Sequence, residues 1–276
     1  MYGPPVARVA EWQTRQVEGL VTARLWRFKS SPEHQYISWE MCRGDLSRQT
    51  GSWPGTEYGC AMGLGISLDV HMKLVIATHN RHKVDEIRAI FNLQGVDLLA
   101  AVDIPGAPDV EEDGDTFEKN AVKKAVALAR FSGCWSLADD SGLEVSALNG
   151  APGVQSARYA GEPVDYRANN RKLLDALRDQ SDRSARFCCV MALADPSGKS
   201  QTIRGTCSGH ILADARGTGG FGYDPLFVPN GYDTTFSEMD AQAKNRISHR
   251  ARALEAAIRQ WGGILNGRYD RFPVPP

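Results

Sequence analysis

Two adjacent carboxylates are the first residues whose types and spacing suggest chemistry, in the run Asp139-Asp140-Ser141-Gly142. They follow the apolar segment Trp135–Ala138, which we predict to be a strand that stops at the aspartates, with Leu143–Leu148 forming the next strand. α/β sheets place ligand-binding groups at the carboxyl ends of their strands. Carboxylates there could bind a divalent cation or accept a proton from water, although an aspartate-rich turn ending in glycine gives the same pattern.

An acidic loop upstream of that pair supplies a further carboxylate. Glu111 and Glu112 lie side by side in this loop. One of them, joined to the aspartate pair, would complete a set of the hard oxygen ligands that Mg²⁺ prefers. The sequence therefore predicts a magnesium site built from the aspartates and one glutamate, and it leaves open whether that glutamate is Glu111 or Glu112.

A polar turn between a strand and a helix is the first candidate for phosphate binding. It reads Thr78-His79-Asn80-Arg81-His82-Lys83. The start of a helix presents free backbone N–H groups and the positive end of the helix dipole, and Lys83 adds a full charge. The turn is not a P-loop, because the spaced glycines and the Gly-Lys-Ser/Thr ending are absent. A solvated lysine in the first turn of a helix is the structural alternative.

A glycine-rich loop is the candidate for binding a planar group. The loop runs from Gly217 to Pro225 and contains Phe221-Gly222-Tyr223-Asp224. Its glycines match G-x-G-x-x-G, but Pro225 and Pro229 prevent a helix from starting there, so the dinucleotide-binding fingerprint is excluded. An aromatic ring could stack on a planar ligand, and a carboxylate could bind the edge of that ligand. A flexible surface loop is the alternative.

A second basic cluster lies near the start of the last helix. Lys244 is followed by Ser248-His249-Arg250, and Ser248 is a residue type that commonly caps a helix N-terminus. We predict that Lys244, His249 and Arg250 surround this helix N-terminus and bind an anion or the edge of a base. Solvated charges after a cap are the structural alternative.

Strands and helices alternate along the part of the chain that carries these residues. We predict a buried strand at Lys73–Thr78, followed by a helix whose apolar face runs from Val84 to Phe91. Asp115 and Glu118 have the spacing of a capping box before a second helix. A hairpin and a last long helix are predicted at Arg186–Ala194, Gln201–Ile211 and Ser248–Trp261. The pattern predicts a mixed α/β sheet with flanking helices.

Composition excludes several classes of protein. The 276 residues carry a formal net charge of -1 at pH 7, which gives no support for a nucleic-acid groove or an anionic membrane partner. No apolar run reaches the ~18 residues that span a bilayer, and the first residues lack the apolar core of a secretory signal. The 6 cysteines show no C-x-x-C pair and no zinc-type spacing, which indicates a reducing compartment. We therefore expect a cytoplasmic protein with no nucleic-acid or membrane partner.

The chain changes character near Met72. Residues 1–71 contain most of the tryptophans but no sustained period of 2 or 3.6, so we predict a poorly structured extension that precedes the functional start at Met72. An aromatic-rich arm that binds a partner is the alternative. We predict that residues 72–266 form the folded domain and that the proline-rich residues 267–276 form a loose C-terminal tail.

Five stretches of the sequence occur in a recognisable order. They are ATHNRHKVDEI, EEDGDTFEKNAVKKA, ADDSGLEVSALNGAPGVQSARYAG, GTGGFGYDPLFVP and FSEMDAQAKNRISHRARAL. Together they resemble the inosine triphosphate pyrophosphatase family, which acts on non-canonical purine nucleoside triphosphates. The resemblance covers the chain from Met72 to about Leu254, and residues 1–71 have no counterpart in the family pattern.

The resemblance implies a fold and an activity. The fold is an elongated mixed β-sheet with flanking helices and two lobes around a substrate cleft, usually assembled as a homodimer. The activity is Mg²⁺-dependent hydrolysis of ITP, dITP and XTP to the monophosphate and pyrophosphate, which cleanses the nucleotide pool.

The resemblance also implies roles for individual residues. Asp140 would be the general base and a metal ligand, and Glu111 or Glu112 would be the other metal-binding carboxylate. Residues 78–83 and Lys124 would bind the triphosphate, with Ser141 beside them in the substrate site. The remaining base- and phosphate-binding residues would be Phe221, Gly222, Tyr223, Asp224, Lys244, His249 and Arg250.

Two rival functions are also compatible with the sequence. The related Maf-like group hydrolyses other nucleoside triphosphates such as dTTP and UTP, but the SHR and FGYDP motifs favour the purine family. A nucleotide-binding sensor without turnover could keep Lys83 while losing the carboxylates, so the presence of Asp140 with Glu111 or Glu112 argues against a sensor. Pyrophosphate release from ITP, measured with and without Mg²⁺, separates an enzyme from a sensor.

Overall fold

The computed structural model describes residues 16–17, 20–21, 25–30, 37–42, 72–91, 93–266 and 272. The chain divides into two compact units, Met1–Ile66 and Ser67–Pro276. In the first unit, four short strands form two antiparallel pairs: β1 (Gln16–Val17) with β2 (Leu20–Val21), and β3 (Leu25–Ser30) with β4 (Ile37–Cys42). The rest of the predicted extension at 1–71 lies outside the described residues, so its character stays a prediction.

A six-stranded sheet forms the centre of the second unit. Its strands are β5 (Met72–Ile76), β6 (Val96–Ala100), β7 (Trp135–Val145), β8 (Ser184–Ala194), β9 (Ser200–Ile211) and β10 (Phe227–Pro229). Their order is β10-β9-β8-β7-β5-β6. β5 runs parallel to both of its neighbours, and the other pairs are antiparallel. This mixed sheet confirms the predicted α/β class.

Helices cover both faces of this sheet. The α-helices of the second unit's described residues are α1 (Arg81–Ile90), α2 (Phe117–Ser132), α3 (Tyr166–Ala176), α4 (Ala241–Ile247) and α5 (His249–Leu265). Short 3-10 helices occupy Ala101–Asp103, Ser146–Leu148 and Gly153–Arg158. The prediction included α1, α2 and α5 but missed α3 and α4.

Alternate residues of β5 pack into different layers. Leu74 and Ile76 belong to the apolar cluster that includes α1 and α5, whereas Val75, with Ala77 just after the strand, belongs to the cluster that includes α2. Successive side chains of a strand point to opposite faces of its sheet. All four are nearly inaccessible to solvent, as expected for a parallel strand covered on both faces. The core therefore lies on both sides of β5.

The carboxyl end of β5 is the point where the connections change direction. The chain leaves β5 through α1 to pair with β6 on one side, and it returns through α2 to pair with β7 on the other. The β5–β7 pairing ends at Ile76 and Leu137, whereas β7 continues against β8 as far as Val145. An edge of β7 thus faces the switch point, where α/β sheets bind ligands.

The predicted break at the two aspartates is wrong. β7 runs without interruption through Asp139 and Asp140, which pair with Met191 and Val190 of β8. Aspartate, serine and glycine favour turns locally, but pairing with a long neighbouring strand outweighs that preference. Both carboxylates therefore project from the middle of a strand, just beyond the end of β5.

Two predicted helix ends also differ from the structure. Thr116, rather than Asp115, caps α2, because its side chain accepts a hydrogen bond from the Lys119 N–H at 3.2 Å. α5 continues through its pair of glycines to Leu265, beyond the predicted end at Trp261, and Leu265 is itself fully buried. Tertiary packing thus extends this helix past residues of low helix propensity.

The C-terminal tail is described at one position. The ring of Phe272 meets Trp135 edge-on, with 5.0 Å between the ring centroids. The other residues of the predicted loose tail, 267–271 and 273–276, lie outside the described residues. Across the described part of the chain, no helix has the length and apolar character needed to cross a membrane.

Candidate active site

An open cleft lies beside the end of β5. A second compartment adjoins it, because both share Asn80, Lys83 and Glu112. Thr78, His79 and Lys124 line the second compartment. The first is lined by the other motifs: Asp140, Ser141, Phe221, Gly222, Tyr223, Asp224, Lys244, His249 and Arg250. The fold thus gathers four motifs that are separate in the sequence.

Three predicted site residues line neither compartment: Arg81, His82 and Glu111. Arg81 is exposed at the start of α1, and Glu111 is exposed on the acidic loop. Glu112, by contrast, is half-buried and accepts a hydrogen bond from Lys124. The structure therefore brings Glu112, and not Glu111, to the cleft, because neighbouring residues of an extended loop point in different directions.

Asp139 is a buried anchor for two cations. Its Oδ2 accepts a hydrogen bond from Arg250 Nη2 at 2.9 Å and lies 3.2 Å from Lys83 Nζ. Burial acts to raise the pKa of Asp139, but Lys83 and Arg250 outweigh burial and hold that pKa well below its usual range. Asp139 therefore stays ionised and fixes both cations in place.

Asp140 points to the opposite face of β7 and has different partners. Its Oδ2 accepts a hydrogen bond from Asn120 Nδ2 at 3.0 Å, and its Oδ1 accepts one from the Ser141 N–H at 3.1 Å. Burial raises the pKa of Asp140, and this effect exceeds the opposing influence of Lys124 and Lys83. A carboxylate with a raised pKa that lines a cleft is suited to accept a proton. Of the two neighbours, Asp140 has the character of a base.

Lys124 joins the acidic loop to β7. Its Nζ donates to Glu112 Oε1 and, at 2.7 Å, to the backbone oxygen of Asp139. The same nitrogen lies 3.7 Å from Asp140 Oδ1. One buried ammonium thus holds two carboxylates at the boundary between the two compartments.

The phosphate turn is organised by Asn80. The Asn80 side chain accepts hydrogen bonds from the N–H groups of His82 and Lys83 at 3.0 and 3.4 Å. This cap satisfies backbone groups that the sequence predicted to be free for phosphate. Burial acts to lower the pKa of Lys83, but Asp139 outweighs it and the pKa is raised, so the lysine stays protonated. What the turn offers an anion is therefore chiefly the charge of Lys83.

Asp224 shapes the glycine-rich loop. Its Oδ2 accepts hydrogen bonds from the Phe221 N–H at 2.9 Å and from Lys244 Nζ at 2.7 Å. Gly220 has φ +70 and approaches Asp224 so closely that a Cβ would collide with the carboxylate. Asp224, the carboxylate predicted to bind the edge of a planar ligand, therefore already accepts hydrogen bonds from the protein. Tyr223 is buried and donates to the Ser156 backbone oxygen at 2.9 Å, so it packs the loop in place.

Phe221 forms an aromatic wall between helices. Its ring stacks on His82, with 5.3 Å between centroids and an interplanar angle of 13°. Lys244 Nζ lies 5.0 Å from the centroid of the same ring, and the tilted ring of Tyr166 lies 6.3 Å away. Phe221 is only half-buried and lines the cleft, so a planar ligand can stack there.

Glu86 of α1 is a site residue that the sequence analysis missed. It accepts hydrogen bonds from Lys244 Nζ at 2.8 Å and from Arg250 Nη1. Burial acts to raise the pKa of Glu86, but Arg250 and Lys244 outweigh it and lower that pKa. Glu86 is 158 and 164 residues away from these partners in sequence, so no local spacing could have indicated the contacts.

His249 enters the cleft as a neutral ring. It stacks on Phe187, with 4.7 Å between centroids and an interplanar angle of 12°. Burial, reinforced by Arg250 and Lys244, lowers the pKa of His249 well below its ordinary value. Its Nδ1 is buried without a hydrogen-bond partner among the described residues. The imidazole can therefore act as a neutral hydrogen-bonding group toward a ligand.

The charges of the cleft bear on metal binding. Four cations, of which three are buried and Lys83 is largely buried, form ion pairs with five carboxylates. The formal charge of this set is -1: Lys83, Lys124, Lys244 and Arg250 against Glu86, Glu112, Asp139, Asp140 and Asp224. A triphosphate would add negative charge to a cluster that is already anionic. A divalent cation would offset that repulsion.

The cleft offers Mg²⁺ two carboxylates, those of Glu112 and Asp140. In the described part of the chain, no group of three or more His, Cys, Asp or Glu could hold a metal. The prediction joined Asp140 to one of Glu111 and Glu112, and of these two the structure places Glu112 in the cleft with Asp140. Glu112 and Asp140 remain, and Mg²⁺ is commonly bound by one or two carboxylates together with substrate phosphates and water.

Comparison with known proteins places the chain in a family. The sequence model of the Ham1 family matches residues 74–260. The chain belongs to the Ham1 family. The match lies within the predicted domain at 72–266, and it confirms the family resemblance predicted from the five stretches.

Relatives of this Ham1-family chain are similar over nearly their whole length. The dITP/XTP pyrophosphatase of Desulforamulus reducens is 52% identical over 200 residues, which cover 72% of this chain and 98% of the relative. The dITP/XTP pyrophosphatase of Geobacter sulfurreducens is 51% identical over 197 residues, which cover 70% of this chain and 98% of the relative.

Solved structures agree with the fold. The Ham1 protein of Staphylococcus aureus is 39% identical with a TM-score of 0.63, and the match covers 71% of this chain and 100% of that one. The nucleoside-triphosphatase / dITP/XTP pyrophosphatase of Mycobacterium abscessus is 40% identical with a TM-score of 0.57, covering 68% and 99%. The predicted fold class is therefore confirmed by structure as well as by sequence.

Proposed function

We propose that this chain hydrolyses the non-canonical purine nucleoside triphosphates dITP, ITP and XTP to the monophosphate and pyrophosphate, with Mg²⁺. One observation carries the proposal: Asp140 stands between a compartment lined by Lys83 and Lys124 and a cleft lined by Phe221 and Lys244. The relatives named dITP/XTP pyrophosphatase confirm the predicted enzyme class, a nucleoside triphosphate pyrophosphatase. The exact products and the metal requirement belong to the proposal.

The two lysines would bind the phosphates. Lys124 is buried and Lys83 is largely buried, and each is held by a carboxylate, Glu112 and Asp139 respectively. Ammonium groups fixed in advance and shielded from water stabilise the charge that develops on phosphate oxygens without further reorganisation. When bound, Mg²⁺ would be held by Glu112 and Asp140 and would neutralise charge on the phosphate oxygens.

Asp140 would accept the proton of the attacking water. The water oxygen bonds to the α-phosphorus while the bond from that phosphorus to the α–β bridging oxygen breaks, and pyrophosphate leaves with the electron pair. The proton passes to Asp140, whose raised pKa suits this task. The pKa of Asp139 is lowered instead, so Asp139 stays ionised and holds Lys83 and Arg250 while Asp140 accepts the proton.

The base would lie in the cleft lined by the glycine-rich loop. Phe221 offers a ring face, while Lys244 and Arg250 offer donors held in place by Glu86. Hypoxanthine and xanthine have a keto oxygen at position 6, where adenine has an amino group. Donors in a buried site therefore suit the former, because an unpaired buried donor costs about 1–3 kcal/mol.

Labelled water tests the proposal directly. In H₂¹⁸O with ITP and Mg²⁺, we expect one ¹⁸O atom in IMP and unlabelled pyrophosphate, because attack occurs at the α-phosphorus. Asp140→Asn should lower kcat by about 10²–10⁴-fold. The matched control is Asp175→Asn, since Asp175 on α3 is exposed and pairs with Arg178 just beyond that helix. Release of inorganic phosphate, or wild-type turnover by Asp140→Asn, would contradict the assignment.

The resemblance supports two further proposals about the protein in the cell. It acts as a homodimer, which light scattering during gel filtration tests: a mass near the monomer's 30.2 kDa would overturn the dimer. It acts in the cytoplasm, which fractionation of the source cells tests: recovery with the membrane or secreted fraction would overturn that assignment.

A further inference from the structure

One buried amide on α2 contacts both sides of the reactive region. Asn120 is 1% exposed, and its Nδ2 donates to Asp140 Oδ2 at 3.0 Å. Its Oδ1 accepts a hydrogen bond from the Gly114 N–H at 2.7 Å, and Nδ2 lies 3.5 Å from the Gly114 backbone oxygen. Both polar atoms of the side chain are therefore used, one toward Asp140 and one toward the acidic loop.

Gly114 is shaped to receive this amide. A Cβ built on Gly114 would lie 2.6 Å from Asn120 Oδ1, closer than real contacts allow. A second contact, to Lys119 Cβ, would lie at 3.0 Å, where a small shift suffices. The absence of a side chain at Gly114 is therefore what permits the close approach of the loop to Asn120.

Two side chains of α2 contact the proposed metal-binding carboxylates, Asp140 and Glu112, or the loop that carries Glu112. Lys124 lies one turn after Asn120 on the same helix, and it binds Glu112 and the Asp139 backbone. Residues four apart on a helix lie on one face. Asn120 thus fixes Asp140 and the loop end at Gly114, while Lys124 fixes Glu112 two residues earlier on that loop.

We propose that Asn120 is a positioning residue, whose amide sets the orientation of Asp140 and holds the Glu112-bearing loop against it through Gly114. The inference rests on the proposed function, because it assigns Asp140 and Glu112 a shared role in catalysis. A carboxylate in a strand keeps rotational freedom about its last bond, and one donor on Oδ2 with another on Oδ1 removes that freedom. Asn120 itself lines neither compartment and acts through its partners.

Steady-state kinetics with ITP test the role of the amide. Asn120→Ala should lower kcat by about 10–100-fold, the usual effect of losing a group that orients catalytic carboxylates. KM for ITP should change little, because Phe221, Lys244 and Arg250 are untouched. Asn120→Asp keeps the size of the side chain and an acceptor for Gly114 but cannot donate to Asp140. It should lower kcat at least as far.

A double-mutant cycle with Gly114→Ala tests the clamp itself. Gly114→Ala alone should lower kcat toward the Asn120→Ala value, because the new methyl group displaces the amide. In the Asn120→Ala background the same change should add little, since the collision partner is gone. Gly262→Ala is the matched control, because a Cβ there meets nothing within 4 Å, and it should leave kcat unchanged.

Each other outcome counts against the inference. Independent, multiplicative effects of Gly114→Ala and Asn120→Ala would overturn the clamp, and a raised KM with unchanged kcat would overturn the positioning role. If Asn120→Ala does not fold, Asn120→Asp decides, and wild-type kcat in that variant overturns the proposal. If the wild type itself releases no pyrophosphate, the proposed function fails. The same double-mutant cycle, measured by thermal unfolding, then tests the contact between Asn120 and Gly114. Additive losses of Tm from Gly114→Ala and Asn120→Ala would overturn that contact.

Discussion

Exchanging each of the adjacent aspartates for asparagine should have different effects on stability. Asp139→Asn removes the carboxylate that pairs with Arg250, whose side chain is 1% exposed, and with Lys83, whose side chain is 14% exposed. Breaking a buried ion pair by removing one partner typically costs about 3–5 kcal/mol, because the remaining charge stays desolvated. In a domain of roughly 200 residues this corresponds to a fall in Tm of about 6–20 °C.

Asp140→Asn should leave Tm at or above the wild-type value. The pKa of Asp140 is raised by burial, so its ionised form destabilises the folded state at neutral pH, and a neutral amide relieves that cost. The pKa of Asp139 is lowered in the folded state, so its contribution is present above the ordinary pKa of about 3.9 and fades below it. The gap in stability between the wild type and Asp139→Asn should therefore narrow below about pH 4.

Thermal unfolding followed by circular dichroism measures both variants. The expected result is a large loss of Tm for Asp139→Asn with an unchanged or raised Tm for Asp140→Asn. Equal losses in the two variants, or a wild-type Tm for Asp139→Asn, would refute the division of roles between the anchor and the base.

Three further predictions concern other parts of the chain. Glu86→Gln should raise KM for ITP by about 10-fold or more, because its hydrogen bonds to Lys244 and Arg250 are weakened. The control Asp85→Asn on the same helix should leave KM unchanged, and equal KM values in the two variants would contradict the prediction. The free energy of unfolding should fall as the pH drops below about 6.5, because His249 resists protonation in the folded state while the unfolded chain does not. His249→Phe, which keeps the stack on Phe187, should reduce the change of unfolding free energy with pH. Chemical denaturation at several pH values measures this change, and the same change in the variant and the wild type would contradict the prediction. A chain beginning at Met72 should match the full chain in kcat/KM for ITP, and a folded but inactive product would show that residues 1–71 have a role.

The fold was predictable where the apolar pattern is local. The strand at Lys73–Thr78 was predicted almost at the observed bounds of β5, because a short β-branched run followed by a polar turn has few alternatives. α3 was missed because its apolar face is short: Leu173 is its one fully buried apolar residue in the described helix. The continuity of β7 was missed because it depends on pairing with β8, which no local pattern reveals.

The candidate site was predictable as a set of motifs but not as a network. Lys83, Lys124 and Asp140 were expected in one site, and the structure gathers them in adjoining compartments. Asn120 and Glu86 were missed, because a single polar residue on a helix gives no signal until its partner is known. The partners of these residues come from other elements, across 20 residues for Asn120 and more than 150 for Glu86.

A nucleotide panel tests the central claim most directly. The measurement is kcat/KM for pyrophosphate release from ITP, dITP, XTP, GTP, ATP and dTTP with Mg²⁺. We predict values for ITP, dITP and XTP that exceed that for ATP by up to about 10⁴-fold, since sites built on hydrogen-bond complementarity reach such ratios. A smaller excess is expected over GTP, which shares the 6-keto group and differs by its 2-amino group. Equal values for ITP and ATP would contradict the account and leave a generic triphosphatase, and a preference for dTTP would assign the chain a Maf-like specificity.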